Sequence, residues 1–370
     1  MRLLDLSIIS LAVIGLAPAA RAGELDQARL RGSTGYDAAP TYQVITSEPS
    51  GVAAPTYAVA YPKAPPPLRA VAPPPAPTPH YFKFEVGSRV WFSTGTLTKN
   101  LYDDPRSSTN INSRLTYAGL TSATVEGFGR ADMAFGGFFK GNAGFGGLGS
   151  GTLNDEDFPP ALSPYSNTLS QQQGGKLAYG SIDYGQTVVQ NERVRVGVFV
   201  GYGYLAETVN ANGCTQIAGN PFVCAPAIGS GVLAITEENQ WQFARLGVLG
   251  EVKIFDSLKL SAEVAWLPYE QLSGHDTHWL RLGTSLFDIA GPIPESGGGT
   301  GVQLEAILSY QITNKVSFGV GGRYWYLATH GSADFESVIV GFPSPVAQPT
   351  NFTTTRYGGF AQGTYSFGPL

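Results

Sequence analysis

Residues 194–204 read Val-Arg-Val-Gly-Val-Phe-Val-Gly-Tyr-Gly-Tyr. Val194, Val196, Val198, Val200, Tyr202 and Tyr204 alternate with Arg195, Gly197, Phe199, Gly201 and Gly203. A β-strand turns successive side chains to opposite faces, so this segment has one apolar face and one small or polar face. The pattern recurs. Leu258, Leu260, Ala262, Val264 and Trp266 alternate with Lys259, Ser261, Glu263 and Ala265. Val316, Phe318, Val320, Tyr324 and Tyr326 alternate with Ser317, Gly319, Gly321, Arg323 and Trp325. Apolar outside and small or polar inside is the period of a transmembrane β-barrel strand. A soluble sandwich also alternates, but it rarely carries so many glycines in strands this long.

Composition points the same way. The chain has 47 glycines and 12% aromatic residues, while charged residues make up only 14%, against about 25% in an average soluble domain. After Ala22 no apolar run is long enough for a helical span. The net charge of −5 argues against nucleic acid as a partner.

Residues 1–22 read as a secretory signal. Arg2 supplies the positive end, Leu6 to Ala17 the apolar run, and Ala20-Arg21-Ala22 the cleavage site. Residues 23–80 are a Pro/Ala-rich linker with Pro65-Pro66-Pro67 and Pro73-Pro74-Pro75. Such a segment buries no core and is expected to be extended polyproline-like chain. It reads as a spacer that approaches the cell wall if the barrel's N-terminus faces the periplasm.

Residues 81–370 are expected to form a ten-stranded antiparallel barrel, with strands near 82–101, 114–130, 132–148, 175–189, 192–209, 235–254, 258–272, 301–312, 315–330 and 351–367. Short connections at 130–132, 190–191, 255–257 and 313–314 alternate with long ones. That asymmetry implies periplasmic turns and long extracellular loops in the outer membrane of a Gram-negative bacterium. Trp91, Tyr102, Trp241, Trp266, Tyr269, Trp279 and Trp325 are expected in interfacial girdles. Arg195, Glu251, Glu263, Arg281, Glu305 and Arg323 are expected to pair inside the lumen. Cys214 and Cys224, in an exported chain, predict a disulfide that pins a surface hairpin.

Two acidic motifs fall in the long loops. Asp155-Glu156-Asp157 follows the third expected strand, and Asp276-Thr277-His278 the seventh. Residues i and i+2 of an extended chain share a face, so each pair points into one cavity. An Asp two residues before a His orients the imidazole and stabilises its protonated form. Two close carboxylates bind and orient a water. A water between Asp155 and His278 would meet a general base and leave room for a carbonyl. Taken singly, D-x-D and D-x-H are as well explained by solvated turns. His275 and His278 with Asp276 also allow a metal reading, but no further ligand is evident and no metal is expected. Ser170 has no partner placed to activate it, and Gly297-Gly298-Gly299-Thr300-Gly301 lacks the Lys of a phosphate loop.

In these motifs the chain resembles the omptin family, the outer-membrane aspartyl-histidyl endopeptidases. Gly147 through Phe158 reads Gly-Leu-Gly-Ser-Gly-Thr-Leu-Asn-Asp-Glu-Asp-Phe, like the family's Gly-rich approach to D-x-D. Leu177-Ala178-Tyr179 and Asp183 match the following strand, and Gly274-His275-Asp276-Thr277-His278 the D-x-H end of a later one. The resemblance implies that Asp155 and His278 position a nucleophilic water, that Asp157 assists at the carbonyl, and that Asp276 orients the His. It implies a peptide or protein substrate, no cofactor, and lipopolysaccharide as a possible activator. Family acids that select basic side chains correspond to Asn100 and Gly274, which are uncharged, so dibasic specificity is not implied. Of the family's lipopolysaccharide cluster only Tyr202 matches, since Tyr204 and Ala206 stand where an acid and an Arg are expected. A non-catalytic surface barrel and a small porin are the alternatives.

Overall fold

Period-two patterning is realised in twelve strands, described here by a computed structural model. They are β1 (Phe82–Asp104), β2 (Ser107–Ala118), β3 (Ser122–Met133), β4 (Gly137–Leu148), β5 (Ser150–Asp157), β6 (Ser166–Gln190), β7 (Val194–Gln216), β8 (Ile228–Phe255), β9 (Leu258–His278), β10 (Ile293–Gln311), β11 (Val316–Ala333) and β12 (Gln348–Phe367). The described residues are 82–368 without 105–106, 287, 342 and 344–346. The signal segment 1–22 and the linker 23–80 lie outside them.

All the strands form one sheet, their pairings are antiparallel, and β12 pairs with β1 to close it. Twelve strands stand where the sequence reading expects ten, because two rows of the barrel are broken. β1 pairs with β3 through its first half and with β2 through its second. Likewise β6 pairs with both β4 and β5. The break at 119–121 contains Gly119, whose φ of +64° suits a residue without a Cβ. It abuts the break at Gly149. Thr121 N donates to Ser150 O at 2.9 Å and Gly149 N to Thr121 O at 2.8 Å, so the interruption leaves these backbone groups paired.

Alternation has different meanings at the two ends of a strand. In the half nearest the short turns, apolar side chains face outward. Phe92, Val125, Phe145, Ile182, Val200, Val264 and Trp266 are all more than half exposed. Closing the sheet removes edges, and this apolar belt suits hydrocarbon. Further along, the pattern inverts. On β7 the outward series Val198, Val200, Tyr202 gives way to inward-facing Leu205, Val209 and Ala211, all buried. The same inward core includes Leu97, Tyr117, Leu153, Leu177, Trp241, Leu272 and Phe352.

This inversion corrects the expected girdle. Trp91, Trp241 and Trp325 point inward and are buried, Tyr102 is buried with its hydroxyl bonded to Asn351, and Trp266 and Tyr269 are exposed on the belt. Trp279 lies beyond the belt, in a 3₁₀ turn after β9. Trp91, Trp325 and Tyr179 pack edge-on or tilted across the lumen with centroids 4.9 to 5.6 Å apart.

Nearer the short turns, the lumen holds a cavity of about 700 Å³ lined by charged side chains. Arg89 and Arg323 pair with Glu126 and Glu305. Arg245 and Lys140 pair with Asp183 and Glu263. Each group balances two cations with two carboxylates, which is what a low-dielectric interior requires. Arg195 and Glu251 belong to a similar network with Arg130 and Asp132. Arg281 does not; it sits in the turn after β9.

Candidate active site

Both acidic motifs lie on strands, not in loops. β9 runs through His278, and Asp155 to Asp157 are the end of β5. Beyond Tyr269 the outward residues of β9 are Gln271, Ser273 and His275. Seven residues of strand carry Asp276 about 20 Å past that last outward aromatic, clear of the apolar belt.

Two walls face each other there. On the first, cross-strand pairing aligns Lys99 with Leu115 and Asp155, and Leu101 with Ser113 and Asp157. On the second, Glu237 aligns with Asp276 and Ile293, and Ile235 with His278. The Asp155 carboxylate is close enough to His278 and Asp276 for each charge to act on it.

The second wall carries a dyad. His278 Nε2 lies 3.1 Å from Asp276 Oδ2. A neutral imidazole in this pairing keeps its proton on Nε2 and leaves Nδ1 as the basic atom. Phe335 packs edge-on against the His278 ring at 6.3 Å. His275, two strand positions from Ser273 on the outward face, is exposed. His275 and His278 therefore leave opposite faces of β9 and do not converge on a metal.

Charge and burial set the protonation of the group. Burial, followed by the charge of Asp157, pushes the Asp155 carboxyl up to about 7, with His278 and Lys99 opposing. Burial also raises Asp157, against a hydrogen bond from Ser113 and the charges of His278 and Arg281. Burial disfavours ionised Asp276 as well, but His278 and Lys99 outweigh it and hold this carboxyl well below the usual range. For His278, burial opposes the imidazolium, yet Asp276 and Asp155 raise it above its ordinary value. The result is two carboxylates of opposite tendency around one imidazole, with Asp276 permanently charged and Asp155 poised near neutrality.

The two proposed specificity positions behave differently. Asn100 has the opposite strand parity from Lys99. Its Oδ1 accepts from Arg114 Nε at 2.9 Å, in a cross-strand row continued by Glu156. The inward position of this wall is Lys99, buried, with Nζ bonded to carboxylates of Glu237, Asp276 and Glu295. Gly274 lies beside Asn239, and a Cβ there would sit 2.5 Å from Asn239 Oδ1 and 2.6 Å from Glu238 O. Tyr202 is exposed on the belt and donates to Gln242 Oε1 at 2.8 Å. Cys214 and Cys224 are joined by a disulfide, with Cα atoms 5.7 Å apart.

The sequence reading gave Lys99 no role and assigned Arg281 to the lumen instead of the site. Arg281 lies near Asp157 and Asp155 and packs over Phe335 at 5.1 Å. A signal for Lys99 existed: it shares parity with Trp91, Leu97 and Leu101, which are all inward.

No protein-family model matches the chain, and no curated protein matches it. Among solved structures it is similar to the outer membrane protease OmpT from Escherichia coli, at 13% identity and a TM-score of 0.61, covering 77% of this chain and 97% of that one. The likeness is one of fold. The toluene transporter TbuX of Ralstonia pickettii is matched at 10% identity over 78% of this chain and 90% of that one, with a TM-score of only 0.26.

Proposed function

We propose that this chain is an outer-membrane endopeptidase that hydrolyses exposed peptides with a water held between Asp155 and His278. The reading rests chiefly on one observation: Asp155 on β5 and the bonded pair Asp276–His278 on β9 come from separate walls and act electrostatically on each other. In this scheme ionised Asp155 accepts a hydrogen bond from the water and orients it, and His278 Nδ1 takes its proton as the oxygen attacks the peptide carbonyl. Asp276 stabilises the imidazolium that forms, and Asp157, in its protonated form, donates a hydrogen bond to the developing oxyanion. The imidazolium then gives its proton to the leaving amine. No covalent intermediate with the chain is needed.

The similar fold of a protease supports the reading. So does the filled lumen, which suits a surface enzyme better than a pore. The apolar belt supports an outer-membrane location; in this reading the site lies on the outer side and lipopolysaccharide acts as an activator. The test uses protein refolded in detergent, with and without lipopolysaccharide, against a diverse peptide library. Hydrolysis by the natural chain, abolished in folded Asp155→Asn and His278→Ala variants, is expected. A natural chain that cleaves nothing leaves a non-catalytic surface barrel.

A further inference from the structure

Lys99 is buried on the first wall, yet its ammonium reaches the second. Nζ lies 2.8 Å from Glu237 Oε2, 2.5 Å from Asp276 Oδ2 and 2.8 Å from Glu295 Oε1. An ammonium has three N–H groups, and each is matched to a different carboxylate. All four side chains are at most 3% exposed. Asn239 Nδ2 braces Glu237 from its other side at 2.9 Å. The three carboxylate oxygens lie within 4.8 Å of one another, a spacing that would suit a cation, and the ammonium occupies that place. Asp276 Oδ2 thus serves two partners, Lys99 on one side and His278 Nε2 on the other.

We propose that Lys99 is a positioning residue, a strap across the floor of the cleft that ties Asp276 to the β1 wall and so fixes how His278 faces Asp155. The proposal deepens the peptidase reading and rests on it for the meaning of the dyad, though not for the strap itself. Leaving β1, the strap bonds residues of β8, β9 and β10, so one side chain couples the wall that bears Asp155 to the wall that bears His278. Charge in the cluster is kept tolerable by protonation. Burial, then the neighbouring Glu237 charge, raises the Glu295 carboxyl well above its usual range. Lys99 itself stays charged: burial opposes the ammonium, but Asp276, Glu237 and Glu295 together outweigh it.

The strap has an electrostatic signature at the dyad. His278 faces Asp276 on its own strand, Asp155 and Asp157 on β5, and Lys99 on β1, while Arg281 lies in the following turn, near Asp155, Asp157 and Asp288. Tyr117 on β2 lies among the same charges. Within this set Lys99 disfavours both the His278 imidazolium and the neutral Asp155 carboxyl. Loss of the ammonium therefore raises both groups.

The experiment compares Lys99→Met and the charge-balanced double variant K99M/E237Q with the natural chain, with Lys83→Met at the turn end as control. The double variant removes one ammonium and one carboxylate together, so it remains foldable if the single variant does not. Two readouts are taken in detergent micelles: peptide hydrolysis against pH, and the His278 imidazole titration by NMR, which is tractable with 4 histidines in the chain. A kcat about 10- to 100-fold lower with little change in KM is expected, together with a rise of about 0.5 to 1 pH unit in the acid limb and in the His278 midpoint. The control is expected to match the natural chain. An unmoved His278 midpoint with kcat within about threefold in a folded variant overturns the proposal. A shifted midpoint in a chain that hydrolyses nothing supports the strap and removes the peptidase.

Discussion

His278 Nε2 and Asp276 Oδ2 are 3.1 Å apart at successive same-face positions of one strand. Side chains so placed stand side by side, so the pair needs no loop to bring it together. Asp276→Asn keeps an oxygen where Oδ2 now sits and removes only the charge. The orientation of the ring then survives, but the imidazolium loses its main stabilising partner. A kcat lower by about 10²-fold or more is expected, with the His278 midpoint displaced downward. NMR titration beside steady-state kinetics checks both; a midpoint that stays in place shows that Asp276 is not the group that raises it.

Asp155 sets the acid limb of the reaction. Its carboxyl is raised to about 7, so its ionised, water-orienting form predominates only above that pH. Hydrolysis is expected to fall as pH drops through about 7. Asp157 contributes to the shift by like-charge repulsion. Removing that charge in Asp157→Asn lowers the Asp155 pKa, so the limb moves to lower pH even as kcat declines. The profile of kcat/KM against pH for the two proteins is the measurement, and a limb displaced upward in the variant contradicts the assignment.

Much of the fold was legible because a strand's period is two whatever surrounds it. Val198, Val200 and Tyr202 could be assigned outward from sequence, and three of the four tight turns marked strand ends; the one expected at 130–132 falls inside β3, and the chain turns at 134–136 instead. Residues on either side of Lys99 were not legible in the same way. The rule of apolar outside, polar inside holds only where lipid is the outer solvent. Above the belt the outer solvent is water, and Leu97, Leu101 and Leu115 turn inward with Lys99 while Asn100 and Arg114 take the outer face. A polar residue near a strand end is then ambiguous by one position: Asn100, named from the family resemblance, takes the outer face, and its neighbour Lys99 the inner one. Strand lengths failed for a related reason: polar continuation beyond the belt resembles a loop in composition, although β9 keeps its hydrogen bonds through His278.

An acid cannot simply be restored at residue 274. The backbone oxygen of Glu238 stands 2.6 Å from where a Cβ would lie, and Asn239 Oδ1 stands 2.5 Å away. Only the second can rotate aside, and doing so releases its brace on Glu237. Gly274→Asp is therefore expected to destabilise the barrel by about 1–3 kcal/mol without creating a preference for basic peptides. Urea titration and a P1 substrate panel read the two effects separately.

In the lumen, Arg323 is 2% exposed and bonds Glu126 at 2.8 Å and Glu305 at 2.6 Å. Arg323→Met leaves both carboxylates short of a partner, although Arg89 still reaches them. Breaking one side of a buried network costs about 3–5 kcal/mol, and the retained Arg89 places the expected loss at the lower end. Glu126→Gln in the same chain is expected to recover part of it. Tryptophan fluorescence during urea unfolding in micelles gives both values, and an Arg323→Met barrel as stable as the natural one would falsify the role given to this network.

The filled lumen also separates a surface enzyme from a pore. Trp91 and Trp325 have ring centroids 4.9 Å apart, and Tyr179 closes against both. Arg323 lies 5.0 Å from the Trp91 ring centroid, so the aromatic layer is braced by the charged network beside it. Past this layer the inward Leu97, Leu153, Leu177, Leu267 and Leu327, all at most 1% exposed, pack with the buried Arg356–Glu207 pair and Glu270. An ion crossing here would have to shed its water in a closely packed layer that is largely apolar and whose Arg356 is already paired with Glu207, at a cost that makes conduction negligible. Natural protein inserted in a planar bilayer is therefore expected to show no discrete current steps. Trp91→Ala with Trp325→Ala removes the two largest rings of the layer and is the variant in which leakage should first appear. Steady steps from the unaltered chain would mean that the layer opens, and the pore reading would then displace the enzymatic one.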